Sequence, residues 1–307
     1  MKKFLKPNDK YALLIIPGVY RDLPDSYSFN LASDTILTTK LEIPDVVHWK
    51  EWLGSILWKE IVEAGTYLLV KKSSSDHHTQ NHEDQNLKDK AVYWWHILKV
   101  TGSFKSETPI ILTGVWTADD IKIQSKSSYP LWYHQGDDYF LRLKINHLPL
   151  WKTLYEGYEA VTLSFRNRQH RRIVFGLRNF IHATELEMVN WRLPAFVRAI
   201  EAFVKPVGQG FGKQFARRAA FLTRDDKDFK NVSESVFTEI YNLRCDYDHL
   251  YDMAQPTESE WRTIITCEDV ARRLYQRLLV DASFRDHFSD DVSIDAFWKN
   301  QNMEQTK

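Results

Sequence analysis

Only two cysteines, Cys245 and Cys267, occur in the 307 residues. So few thiols exclude a disulfide scaffold and suit a reducing cytoplasm, the expected location. Net charge of one sign is also missing, since 41 Lys and Arg balance 41 Asp and Glu. Without a global basic field, nucleic acid can be held only by local patches. No apolar run of about 18 residues is present, so no membrane span is expected. The opening MKKFLKPNDKYALLIIPG lacks the long apolar stretch of a signal peptide. Its short run from Tyr11 to Ile16 reads better as a first strand. No internal repeat is visible. VGQGFGK (Val207 to Lys213) fails as a phosphate loop, because Val207 stands where the first Gly is needed and Gln214 where Ser or Thr is needed.

Hydrophobic residues make up 43% of the 36.3 kDa chain, enough for a large core in one or two domains. The first half is rich in strand-like segments. Tyr27, Phe29 and Leu31 alternate with small or polar residues. Thr35 to Ile43, Thr66 to Lys72, Val92 to Val100, Ile110 to Val115, Tyr139 to Ile145 and Ala160 to Phe165 carry many β-branched or aromatic residues. One stretch differs: Trp49, Trp52, Leu53, Ile56 and Ile61 fall at helical spacing, with Asp45 as N-cap and Gly65 as stop. Lys71 to Lys90 is polar and aperiodic and reads as a loop between strands, so its His77, His78 and His82 are solvated rather than metal-binding.

Beyond about Val161 helical periodicity takes over. Ile173, Leu177, Phe180 and Ile181 form one stripe, Phe196, Ile200, Phe203 and Val204 a second. Phe215, Ala219 and Leu222 form a third, and Val270, Leu274 and Leu278 a fourth. The expected fold class is α+β: a mostly β domain over residues 1–165, a basic connecting segment and helix over 166–192, and an all-α bundle over 193–307.

The segment NLRCDYDHLYDM (Asn242 to Met253) concentrates chemistry within one predicted helix, capped near Ser233. Phe237, Ile240, Tyr241, Arg244 and Tyr251 share its apolar side. An arginine there is costly unless it meets an anion, and Asp248 at i+4 or a carboxylate on another helix would serve. Residues five apart on a helix differ by roughly 140°, so Arg244 and His249 do not share a face. Cys245 and His249 have a spacing that permits metal ligation, but no partner Cys/His pair accompanies them. Asp246 beside Cys245 disfavours a nucleophilic thiolate. The third option is phosphodiester chemistry. A guanidinium neutralises phosphate and an imidazole moves protons near neutral pH. RNA carries its own 2′-hydroxyl nucleophile, so neither metal nor cofactor is expected.

The Arg-x4-His pattern of Arg244 and His249, preceded by FTEIYNL, resembles the motif of HEPN domains, and of the Apea-like HEPN group most of all. AFVRAIEAFV resembles the first helix of that domain, FARRAAFL the next, and EDVARRLYQRLLVD the closing one. The resemblance covers about Leu193 to Trp298. It implies a helical bundle that dimerises and builds a composite ribonuclease site from two copies. Arg244 would then bind the scissile phosphate, His249 would act as acid or base, and Asp246 would orient one of them. It also implies a role in phage defence or a toxin-like response, with the first domain sensing a trigger. Cys245 and Leu250 differ from the residues usual at those motif positions. They motivate the alternative, a non-catalytic module for dimerisation or ligand binding.

RNRQHRR (Arg166 to Arg172) reads either as a solvated turn before the next helix or as a local basic patch. Arg166, Arg168, Arg171 and Arg172 are the candidate RNA-backbone contacts, with His170 among them. The i, i+4 pairs Arg166/His170 and Arg178/His182 lie outside the motif and are read as chance. Eight of the eleven tryptophans precede Trp191, and a strand-rich domain uses such residues for its core more often than for base stacking.

Overall fold

The computed structural model describes residues 4–42, 46–72, 80–104, 108–117, 121–128, 141–186, 188–224, 226, 232–249 and 256–303. The chain divides into two compact units, Met1–Lys152 and Thr153–Lys307.

The first unit is built on a six-stranded sheet: β1 (Lys10–Ile15), β2 (Ser28–Ala32), β3 (Thr35–Thr38), β4 (Tyr67–Lys72), β5 (Ile110–Trp116) and β6 (Ile121–Ser128). The strand order is β2-β3-β4-β1-β5-β6, and every pairing is antiparallel. β1 lies inside the sheet and is apolar on both faces, with Tyr11 through Ile16 all buried. Two short helices, α1 (Val46–Leu53) and α2 (Ser55–Glu63), serve one face. Their Trp49 and Ile61 join a core with Tyr11, Leu13, Ile15, Leu69 and Leu112. Trp49 is fully buried, and its Nε1 donates to the Ile121 carbonyl at 2.8 Å. Gly54, at φ 78°, separates α1 from α2, a conformation that an L side chain rarely adopts.

A long helix, α3 (Gln80–Thr101), packs against β1, β4 and β5. Leu87, Ala91, Trp94, Trp95 and Leu98 form its buried stripe. This corrects two expectations. Val92 to Val100 is helix rather than strand, and residues 80–90 are its first turns rather than loop; His77 and His78 lie outside the described residues. The steps from Leu87 to Leu98 follow helical spacing, but the polar first turns conceal the stripe from a reading of Val92 to Val100 alone. The unit is therefore a mixture of sheet and helix rather than mostly β. Ala160 to Phe165 is likewise helical, as the end of α4 (His147–Arg166). Of the expected strand Tyr139 to Ile145, the described part forms only isolated bridges, Leu141 with Phe104 and Leu143 with Arg21. β6 escaped the sequence reading, although Ile121 and Ile123 are buried and Lys122 and Gln124 exposed, the alternation of a half-covered edge strand.

In the second unit every regular element among the described residues is helical: the end of α4, then α5 (Arg171–Glu185), α6 (Val189–Val204), α7 (Phe211–Thr223), α8 (Glu234–Asp248), α9 (Glu258–Val280), α10 (Ala282–Asp286) and α11 (Asp291–Asn300). The four predicted stripes on α5, α6, α7 and α9 are all buried. α6 is the central helix and packs against α5, α7, α8 and α9. Gly176 lets α5 approach it closely, because a Cβ there would meet the Ala202 Cβ at 2.5 Å and the Tyr275 hydroxyl at 2.2 Å. That hydroxyl donates to the Ala199 carbonyl at 3.0 Å and ties α9 to α6.

Candidate functional site

α8 carries the singled-out segment. Ser233 occupies its N-cap position, but its hydroxyl pairs with Ser235 at 2.7 Å instead of capping a backbone N–H. Phe237, Ile240 and Tyr247 face the bundle interior, and Tyr241 and Arg244 are half-buried beside them. Tyr251 and Leu250 lie outside the described residues. The helix ends at Asp248. His249 is the C-cap, exposed, with its backbone N–H donating to the Cys245 carbonyl at 3.1 Å.

Arg244 meets the anions that its position demands. Its Nε lies 3.0 Å from Asp248 Oδ2, an ion pair without hydrogen-bond alignment at that nitrogen. Asp248 Oδ1 in turn lies 3.5 Å from Arg198 Nη2 on α6. Glu201, one turn beyond Arg198, faces the same group of charges. Burial raises the pKa of its carboxyl, and Arg244, Arg198 and Arg172 only partly oppose that rise. Burial works against the charge of Arg244, but Asp248 and Glu201 outweigh it and hold its pKa above the ordinary value. The Tyr241 ring completes the surroundings, 5.5 Å from the guanidinium carbon.

The three motif residues diverge. Asp246 lies two positions from Arg244, on the opposite side of the helix. It lines a shallow groove with Ser235, Thr238, Glu239, Asn242 and Glu260. His249 is not among the partners of Arg244. Within one copy of the chain, then, Arg244 joins an ion-pair cluster, Asp246 faces an acidic groove, and His249 stands exposed at the helix end.

The chain matches no family model, no curated protein and no solved structure. Among the described residues, no three His, Cys, Asp or Glu converge to hold a metal ion, and no helix is long and apolar enough to cross a membrane.

The basic segment is less uniform than its sequence. Arg166 ends α4, Arg168 sits in a turn at φ 67°, and Arg171 opens α5, all three exposed. Arg172 is half-buried, close enough to Glu201 for its charge to lower the pKa of that carboxyl, and its buried Nε has no hydrogen-bond partner. His170 does not belong to an exposed patch. It is 6% exposed, its Nδ1 lies 2.8 Å from the Ser164 hydroxyl, and its backbone N–H donates to the Ser289 carbonyl at 2.6 Å. Burial lowers its pKa and so disfavours the charged ring, and the residue pins the α4–α5 turn through these two bonds. Arg198 and Glu201 escaped the sequence reading. Their signal was two charges, three positions apart, within the most apolar helix of the bundle. Tryptophans in the first unit serve its core, with Trp49, Trp94, Trp95 and Trp151 fully buried.

Proposed function

We propose that the second unit is a HEPN-type module that cleaves RNA without a metal ion, with the first unit sensing the trigger of a defence or toxin-like response. The supporting observation is the guanidinium of Arg244, held in the last turn of α8 beside Arg198 and immediately before an exposed His249. Such an arrangement suits a phosphodiester. Arg244 neutralises the phosphate, and His249 removes the proton of the 2′-hydroxyl. The 2′-oxygen attacks phosphorus, the bond to the 5′-oxygen breaks, and the leaving oxygen takes up a proton. The products are a 2′,3′-cyclic phosphate and a free 5′-hydroxyl. A composite site in a homodimer, with His249 of one protomer facing Arg244 of its partner, would bring together the two side chains that diverge within one copy. Asp246 faces the acidic groove within one copy, so its proposed role in orienting one of the two side chains is played across the same dimer interface. The test is cleavage of mixed cellular RNA in EDTA. Wild type should cut, and folded His249→Ala should not; activity surviving in that variant would refute the assignment.

A second reading is favoured by one observation, the ion pair of Arg244 with Asp248. An arginine so satisfied can serve packing or dimerisation alone. That reading predicts no cleavage by wild type, together with loss of dimerisation in Arg244→Ala.

A further inference from the structure

Asp248 stands at the wrong end of its helix. The C-terminus of a helix carries partial negative charge, and a carboxylate in the last turn is disfavoured there. Asp248 is kept in place by two cations from different helices, Arg244 at 3.0 Å on one carboxylate oxygen and Arg198 at 3.5 Å on the other. A planar anion clamped between two guanidiniums is the geometry with which arginines hold a phosphate. The side chain of Arg198 is 50% exposed and that of Asp248 26%, so the clamp opens to solvent.

A third guanidinium extends the cluster. α5 and α6 form a tight hairpin, and Gly176 on α5 lies against Ala199 and Ala202 on α6. Arg172 lies one helical turn before Gly176, and its charge reaches the Glu201 carboxyl, as do those of Arg198 and Arg244. Its Nε is buried and lacks a hydrogen-bond partner. An orphaned guanidinium donor is costly unless a ligand completes it. Among the described residues, the charges that act on Glu201 are three arginines and one carboxylate, Asp248, so the cluster has cationic capacity to spare.

We infer that Asp248 is a built-in stand-in for substrate phosphate, and that Arg244, Arg198 and Arg172 form the subsite that the RNA backbone occupies when it displaces the Asp248 carboxylate. The inference rests on the proposed role of Arg244 at the scissile phosphate. It adds Arg198 and Arg172 as binding residues and makes Asp248 a competitor that restrains RNA binding. Arg172 thereby separates in role from Arg166, Arg168 and Arg171, which stand clear of the cluster.

The test is binding of a fluorescent 2′-O-methyl oligoribonucleotide, which lacks the 2′-hydroxyl and cannot be cut. Anisotropy titrations compare the full-length wild type with Asp248→Asn, Arg198→Ala and Arg172→Ala. Asp248→Asn removes the competing charge and should tighten binding about tenfold, equivalent to about 1.4 kcal/mol. Arg198→Ala and Arg172→Ala should each weaken binding and lower the salt slope by about 0.7, as expected when one contact to a single strand is lost. A merely structural role would not move that slope. Unchanged or weaker binding by folded Asp248→Asn would overturn the inference. If Asp248→Asn does not fold, the two arginine variants decide: salt slopes equal to wild type would overturn it. Parallel cleavage assays separate the two ideas. Tighter binding by Asp248→Asn in a protein that never cuts RNA upholds the subsite and removes the ribonuclease. Site-dependent cleavage with no change in binding removes the subsite alone.

Discussion

The sharpest stability prediction concerns Gly157 on α4. A Cβ at this position would lie 1.9 Å from the carbonyl oxygen of Leu279 on α9, 2.7 Å from its carbonyl carbon and 3.0 Å from its Cα. All three atoms are backbone, so no rotamer change relieves the overlap. Ordinary carbon–oxygen contacts begin near 3.3 Å, so the two helices must separate locally by about 1.4 Å. A gap of that size forfeits a large share of the dispersion contact across the seam. Overpacking costs typically about 1–3 kcal/mol, and a clash with backbone belongs at the upper end. Replacing a helical glycine by alanine returns about 1 kcal/mol of helix propensity. The net expectation for Gly157→Ala is a loss near 2 kcal/mol. Gly212 on α7 is the control. The nearest atoms to a Cβ there belong to the Tyr241 ring edge, at 3.0 and 3.2 Å, and a half-buried ring can yield, so Gly212→Ala should stay within about 0.5 kcal/mol of wild type. Urea denaturation of both variants measures the difference. A Gly157→Ala midpoint at or above the wild-type value would refute the reasoning, because it would mean that the α4–α9 seam opens at no cost.

Two further predictions follow from single side chains. Burial, with the Lys99 ammonium adding to it, pushes His96 on α3 down to about 3, whereas the ring of the unfolded chain ionises near 6.5. The folded pKa lies below the unfolded one, so this contribution is complete above about pH 6.5 and drains as pH falls, by about 2 kcal/mol at pH 5. His96→Gln should remove most of the corresponding shift in urea midpoint, and an unchanged pH dependence would contradict the assignment. α9 begins with a capping box, in which the Thr257 hydroxyl accepts from the Glu260 N–H at 3.3 Å and the Glu260 carboxylate accepts from the Thr257 N–H at 2.7 Å. Thr257→Ala should cost about 1 kcal/mol by thermal or urea denaturation, and a neutral result would show that α9 is fixed by its buried face alone.

The second unit was more legible in the sequence than the first, for a physical reason. Its helices each bury one stripe, so Ile173, Leu177, Phe180 and Ile181 announce α5 with a period that no strand shares. In the first unit α3 packs large residues densely, and Val92 to Val100 holds β-branched and aromatic side chains that suit either structure. Length distinguishes the two, since the stripe runs back to Leu87 through residues that look like loop. β1 shows the opposite case: a run apolar on both faces and bounded by turns was read as a strand and is one. At the candidate site, the i+4 partner of Arg244 was legible from spacing. Its second contact through Arg198 was not, because 46 positions of sequence separate Arg198 from Arg244 and only the packing of α6 on α8 brings them together.

The cluster around Arg244 also bears on why the charges are there at all. Replacing a buried ion pair by well-packed apolar residues is often neutral or stabilising, so stability alone gives little reason to retain Arg198, Glu201, Arg244 and Asp248 where α6 packs on α8. The positions are not fully withdrawn from water, with the Arg244 side chain 20% exposed and that of Arg198 50%. Half-exposed pairs contribute little to folding. What such an arrangement does supply is cationic groups already oriented in the free protein, so that an arriving phosphate does not have to order them. Asp248 keeps them oriented without filling the site permanently, since its own place at a helix C-terminus is electrostatically unfavourable. The same carboxylate that makes Arg244 look satisfied in one copy of the chain is therefore the group whose removal should reveal what the arginines bind.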